Sequence, residues 1–190
     1  MGVIVKDGAD LYNGFGTAFS QCISHIQRYL KGIYDFVEHK WPKDMAKFLT
    51  NYNEYRKELI CKGKERFEEN EYKQISNEYD EIIKEWKKEW MGDKNNPLYD
   101  EERKLLSRIE DSDKEQILYF LKDFKVPATN NQVEIDQRNI KIKQKIGKFR
   151  SEVGAEMYAE IRSCINTYKK QGINVYKALI KAFKDETVIV

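Results

Sequence analysis

The chain has 190 residues, 35% of them charged, yet its net charge is only +2. That length can bury a sizeable core. Three widely spaced cysteines, Cys22, Cys61 and Cys164, exclude a disulfide framework and point to a reducing compartment. No apolar run approaches the ~20 residues of a membrane span, and the N-terminus lacks the layout of a secretory signal, so the expectation is a soluble, cytoplasmic protein with no membrane partner. The charge is unevenly placed. Residues 1–63 carry nine Lys/Arg against seven Asp/Glu, residues 64–124 twelve against eighteen, and residues 125–190 thirteen against seven. A basic last third behind an acidic middle suits a nucleic-acid face joined to a solvated helical insert. Ordinary salt-bridged helices would explain the middle third fully and the last only in part.

In chain order, Gly2 to Lys6 is a β-branched run that predicts a short buried strand with Asp7 at its C-terminal end. Residues 8–16, with Gly8, Gly14 and Gly16, predict a loop or a short helical turn. Ala18 to Cys22 predicts a second strand, and Ser24 a cap on a helix running to about His39. Pro42 marks the next helix start, followed at helical spacing by Met45, Phe48, Leu49, Tyr52, Leu59 and Ile60. A third helix is expected over 68–90, with Tyr72, Ile75, Tyr79, Ile82, Trp86 and Trp90 on one stripe. After a break at residues 93–97, helices are predicted over 99–109 and 114–124, the second capped by Ser112 or Asp113. Residues 127–131 form a loop in which Asn130 or Asn131 can cap a helix ending at Gly147. Ser151 with Gly154 opens a helix that stops at Gly172, and Asn174 starts the last one.

Four constellations bear on chemistry. Glu134 is followed four, seven and eleven residues on by Arg138, Lys141 and Lys145, so an α-helix puts all four on one face. A carboxylate beside a cationic stripe suits a site that holds a metal and receives phosphates. Asp7 and Glu134 form a candidate pair for Mg²⁺, which takes few carboxylates plus water and substrate oxygens; two such ions about 3.5–4 Å apart serve phosphoryl transfer. Solvated surface is the competing reading for any two of 32 acids. The basic run from Arg138 to Arg150 is either a solvated helix or a contact to a phosphate backbone. Cys22 and His25, with Arg28 one turn on, lack the remaining ligands of a zinc site. They read instead as a core cysteine beside two residues that face solvent or a substrate phosphate. The Tyr/Trp stripe is explained better by packing than by base stacking.

From Val126 to Phe183 the sequence resembles the C-terminal part of DDE transposases of the insertion-sequence sixty-six family. The matching residues include Asn130-Asn131-Gln132, Glu134, Asp136, Arg138, the run of residues 140–146, Phe149-Arg150-Ser151, Gly154-Ala155, Ile161-Arg162-Ser163 and Lys170-Gln171-Gly172. Ile135 and Gln137 stand where the family commonly has Arg and Leu. More loosely, residues 2–15 look like the strand bearing the family's second catalytic aspartate, here Asp7, and Cys22, His25 and Arg28 look like its C-x2-H-x2-R motif. The resemblance implies an RNase-H-like core in which three acids hold two divalent metals (Mg²⁺ or Mn²⁺), Glu134 being the last acid. In such enzymes water, then a freed 3′-hydroxyl, attacks DNA phosphodiesters. The first aspartate of the triad would belong to a strand upstream of Met1.

The sequence therefore leads to a mostly α protein with a partial RNase-H-like α/β core of one or two short strands, interrupted by an all-helical insert. Residues 1–41 would carry the partial core, 42–124 the insert, and 125–190 the C-terminal helices with the basic face. The function expected is that of the C-terminal part of an insertion-sequence transposase, inactive until a further carboxylate completes the triad. Asp7 and Glu134 would be metal ligands, and Arg138, Lys141, Lys145 and Arg150 DNA contacts. Cys22, His25 and Arg28 would support or position the substrate. Expected partners are the DNA ends of the element, the missing N-terminal part of the transposase and a second copy of the chain. The alternative is a non-catalytic helical module that binds DNA or protein.

Overall fold

The computed structural model describes residues 2–7, 18–92, 95–110 and 114–184. Among them the chain is mostly helical, with one two-stranded parallel sheet. It divides into two compact units, Met1–Asn130 and Asn131–Val190. The loop or short helical turn predicted at residues 8–16 and the cap predicted at Ser112 or Asp113 lie outside the described residues.

In the first unit, β1 (Val3–Lys6) and β2 (Ala18–Gln21) pair in parallel, with Val3 opposite Ala18 and Lys6 opposite Gln21. The Cys22 amide extends the ladder by donating to the Lys6 carbonyl at 2.8 Å. Helix α1 follows as Ile23–Tyr34. Its cap is Cys22, not Ser24, and no side chain satisfies its first turn. It also ends five residues before His39, because the chain must turn before Pro42. Val37 stays buried beside Ile33 even so, which is why the apolar pattern continues past the last helical residue.

Helix α2 (Trp41–Cys61) has Pro42 in its first turn, where the missing N–H costs nothing. A distant side chain supplies the cap: Glu89 accepts from the amides of Lys40 and Trp41, at 2.9 and 3.1 Å. Gly63 ends this helix at φ 77°, a conformation open to glycine without a Cβ penalty. Helix α3 (Glu69–Gly92) carries the aromatic stripe, and α4 (Tyr99–Glu110) follows. The single helix expected over 114–124 is two short ones, α5 (Lys114–Ile117) and α6 (Tyr119–Lys122). Ile117, Leu118, Phe120 and Leu121 are all buried there, more than one face of a continuous helix can hide.

The stripe on α3 is core. Tyr79 and Trp86 are fully buried, with Ile75 and Ile83 beside them, while Tyr72, Ile82 and Trp90 pack at the margin. Trp86 stacks on Trp41 at 3.5 Å and the Tyr79 hydroxyl donates to the Ile109 carbonyl at 2.6 Å, so neither ring is available to a base. Glu102 is fully buried on α4. Its carboxylate accepts from Trp41 Nε1 at 2.9 Å and from Asn96 Nδ2, and lies 2.9 Å from His39 Nδ1. The acidic middle third is laced on its outer face by short-range pairs such as Lys57–Glu54, Lys64–Glu68 and Lys84–Glu81, as ordinary solvated helices would be.

The second unit comprises α7 (Asn131–Ile146), α8 (Glu152–Lys170) and α9 (Val175–Phe183). Ser151 caps α8 by accepting from the Gly154 amide at 3.1 Å, and Asn174 caps α9 by accepting from Lys177 at 3.0 Å. Gly172, at φ 71°, makes the turn between them. These local rules were legible in the sequence. The Asn130 cap on α7 was not realised: its Oδ1 accepts no hydrogen bond among the described residues.

Candidate functional site

Asp7 follows directly on β1, exposed and one residue past the Lys6–Gln21 rung. The end of a strand in a parallel pair leaves a side chain there clear of the ladder, where it can meet a ligand. Lys6 itself is buried and lies over the Phe19 ring at 4.9 Å.

The turn after β2 is held by the chain that precedes α7. The Ile23 amide donates to the Ala128 carbonyl at 3.0 Å, and the Asn130 amide to Cys22 Sγ at 3.4 Å. Cys22 is thus the core residue its sequence context suggested, with a second duty as an acceptor. Arg56 fixes the same segment a little earlier. Its guanidinium donates to the carbonyls of Phe124 and Val126 at 2.6 and 2.8 Å, and burial pulls its pKa below the ordinary value. The sequence held a signal for this that periodicity missed. Arg56 occupies a position of the apolar stripe of α2, four residues after Tyr52, and a cation there needs buried acceptors.

Of the other two residues of the C-x2-H-x2-R motif, His25 is half-buried in the first turn of α1. Arg28, exposed, lines a groove between α1 and α4 of about 420 Å³, with Tyr29, Phe36, Leu105 and Arg108.

In the second unit, α7 has two unlike sides. Glu134, Arg138, Lys141 and Lys145 are all exposed, and at 3.6 residues per turn they fall within about 60° of one another. Asp136, Asn139, Ile140 and Lys143 are half-buried on roughly the opposite side. Asp136 pairs with Lys170 at the end of α8 at 2.5 Å, a hydrogen bond that holds its carboxyl below the ordinary value of 3.8. Lys143 lies 5.9 Å over the Phe149 ring. Arg138, Lys141, Lys145 and Arg150 enter no ion pair among the described residues. The acid of the stripe sits in the first helical turn, where the helix dipole favours a carboxylate, and the cations run toward the C-terminal end, where it favours them.

Asp7 and Glu134 are each exposed carboxylates. Their carboxylate oxygens are hard donors of the kind Mg²⁺ takes alongside water and substrate oxygens. Among the described residues no group of three or more His, Cys, Asp or Glu side chains is placed to hold a metal, and no helix is long and apolar enough to cross a membrane.

The described residues thus combine a mostly helical fold, an acid at the end of a parallel strand and a helix that presents a carboxylate in line with three cations. In a comparison with protein families, the family model described as Transposase IS66 family matches residues 1–157. The chain belongs to that family. Neither a search of curated proteins nor one of solved structures returned a match.

Proposed function

We propose that this chain serves DNA transposition, with Asp7 and Glu134 as carboxylate ligands of divalent metal and the outward side of α7 as a contact to the DNA backbone. The carrying observation is the exposed line of Glu134, Arg138, Lys141 and Lys145 on α7, in a chain of a transposase family. Packing does not account for that line, since it faces away from the half-buried side of its helix. Arg138, Lys141, Lys145 and Arg150 neutralise phosphates and fix the register of the strand. Bound Mg²⁺ or Mn²⁺ supplies activation of the attacking oxygen and stabilisation of the leaving one. The chain's own residues hold that chemistry in place: Asp7 from the end of β1, Glu134 from the first turn of α7. Cys22 and Arg56 fix the segment that enters α7, and His25 supports the strand-end turn. An RNase-H-like core is the architecture this reading implies around the β1–β2 pair. Element ends, the N-terminal part of a transposase and a second copy are the partners it calls for.

The test is metal-dependent nicking of a plasmid carrying element ends, with the N-terminal part supplied in trans. Nicking should appear with Mg²⁺ or Mn²⁺ and vanish in Glu134→Gln and Asp7→Asn. Independently of turnover, Fe²⁺ with ascorbate should cut the polypeptide near residues 7 and 134, as radicals form where the ion binds. DNA binding without nicking at any metal concentration, and without polypeptide cuts, would reduce the chain to a DNA-binding module.

A further inference from the structure

The groove between α1 and α4 has no part in the scheme above, although it takes up Arg28. Its floor is apolar, with Ile33 and Leu105 buried. Its walls carry two exposed rings, Tyr29 at 48% and Phe36 at 76% exposure. Three cations (Arg28, Lys104 and Arg108) and one acid (Glu101) line it. The Arg108 guanidinium already lies over Tyr29, 5.5 Å from the ring centroid. Arg28 and Lys104 enter no ion pair among the described residues. An aromatic of that exposure beside unneutralised cations is costly to leave in water and poorly explained by packing.

We propose that this groove takes an unpaired nucleotide of a DNA strand. Its phosphate would meet Arg28 and Lys104, and its base would lie on Phe36 and the Tyr29–Arg108 stack. The volume, about 420 Å³, is within the roughly 300–1,000 Å³ of small-ligand pockets. Flat rings and a planar guanidinium offer stacking surfaces that every base can use. The excess of cations selects an anionic occupant, and the rings select a nucleotide over an acidic protein segment, which would bring carboxylates but no π face. The inference rests on the reading of the chain as a DNA-handling protein, and adds a site for single-stranded DNA distinct from the duplex contact on α7.

The experiment uses the full chain and fluorescence anisotropy with a labelled dT12 strand and a labelled 12-base-pair duplex, in the wild type, Phe36→Ala, Arg28→Gln and the Lys141→Gln/Lys145→Gln pair. Residues 36 and 28 are exposed, and circular dichroism confirms that each variant keeps its helices. Phe36→Ala should weaken dT12 binding roughly 5- to 150-fold, the range for loss of one stacked base, and leave the duplex unchanged. A Phe36→Trp variant should show indole emission quenched by dT12. Equal dT12 affinity in the wild type, Phe36→Ala and Arg28→Gln overturns the proposal. So does displacement of dT12 by a polyglutamate peptide at lower concentration than by unlabelled dT12. The two readings fail separately: loss of the groove effect with an intact α7 effect sinks only this site, and the reverse sinks only the α7 interface.

Discussion

The two units of this molecule are built on opposite terms. Unit Met1–Asn130 hides Trp41, Trp86, Tyr79, Phe120 and Leu121 almost completely, and buries Glu102 and Arg56 in hydrogen bonds to the Trp41 indole and the Phe124 carbonyl. In unit Asn131–Val190, Ala178 is the one buried hydrophobic among the described residues, while Ile135, Ile142, Ile146, Val153, Met157 and Ile161 are exposed. The first unit's sequence is therefore largely accounted for by its interior. In the second unit caps at Ser151 and Asn174 start α8 and α9 and the Asp136–Lys170 pair ties α7 to α8, while the exposed cations of α7 have no part in that packing. That contrast is the physical ground for proposing the DNA contact there.

The contrast can be broken first at Glu102. Glu102→Ala strands the Trp41 and Asn96 donors in the interior, and should destabilise the first unit by about 3 kcal/mol or more. Urea unfolding followed by tryptophan emission reads this directly, since Trp41 and Trp86 stack beside it. A loss below ~1 kcal/mol would mean that the core does not depend on that carboxylate. Next comes Arg56→Met, which removes the donor to Phe124 and Val126. We expect about 2 kcal/mol, with faster hydrogen exchange at the amide of Ile23, whose acceptor Ala128 lies in the released segment, and at that of Asn130, which itself belongs to it and donates to Cys22 Sγ. Unchanged exchange there would show the segment to be held by other contacts.

The second unit should respond weakly to changes of the same kind. Glu134→Gln, on an exposed face in the first turn of α7, should move stability by no more than about 1 kcal/mol, so a complete loss of metal-dependent chemistry in that variant is not a folding defect. A larger shift would make Glu134 structural. The smallest effect is the Asp136–Lys170 pair. Its bond holds the Asp136 carboxyl below 3.8, so the folded state binds that proton less readily than the unfolded one. The stabilisation is present above pH 3.8 and fades as pH falls through the depressed folded value. Asp136→Asn should remove that acid-side dependence and little else, as surface pairs contribute little. Backbone NMR of residues 131–170 against pH would record it; an identical titration of the helix signals in Asp136→Asn would contradict the assignment.

Much of this was readable from the sequence, for definite reasons. The β-branched run at Val3–Val5, Pro42 at the start of α2, and the Ser151 and Asn174 caps are local rules acting on local structure. The strip from Glu134 to Lys145 needed only helix geometry. What was not readable depended on partners far along the chain. Glu89 caps α2 from 48 residues away, the Cys22 thiol receives Asn130 from 108, and Arg28 finds its groove only because α4 packs beside α1. Ser24 was a good cap by type, but the chain leaving β2 enters the helix at Cys22, before Ser24 can act. The placement of Arg56 and Glu102 on otherwise apolar stripes was the signal that periodicity alone passes over.

The central claim, that the outward side of α7 meets the phosphate backbone, is tested most directly by the salt dependence of duplex binding. Each phosphate neutralised contributes about 0.9 to the slope of log K against log salt. Replacing Lys141 and Lys145 by Gln should therefore lower the magnitude of the slope by about 1.8 and weaken binding equally across sequences. An unchanged slope and affinity in that variant, with its helices intact, would place the DNA contact elsewhere.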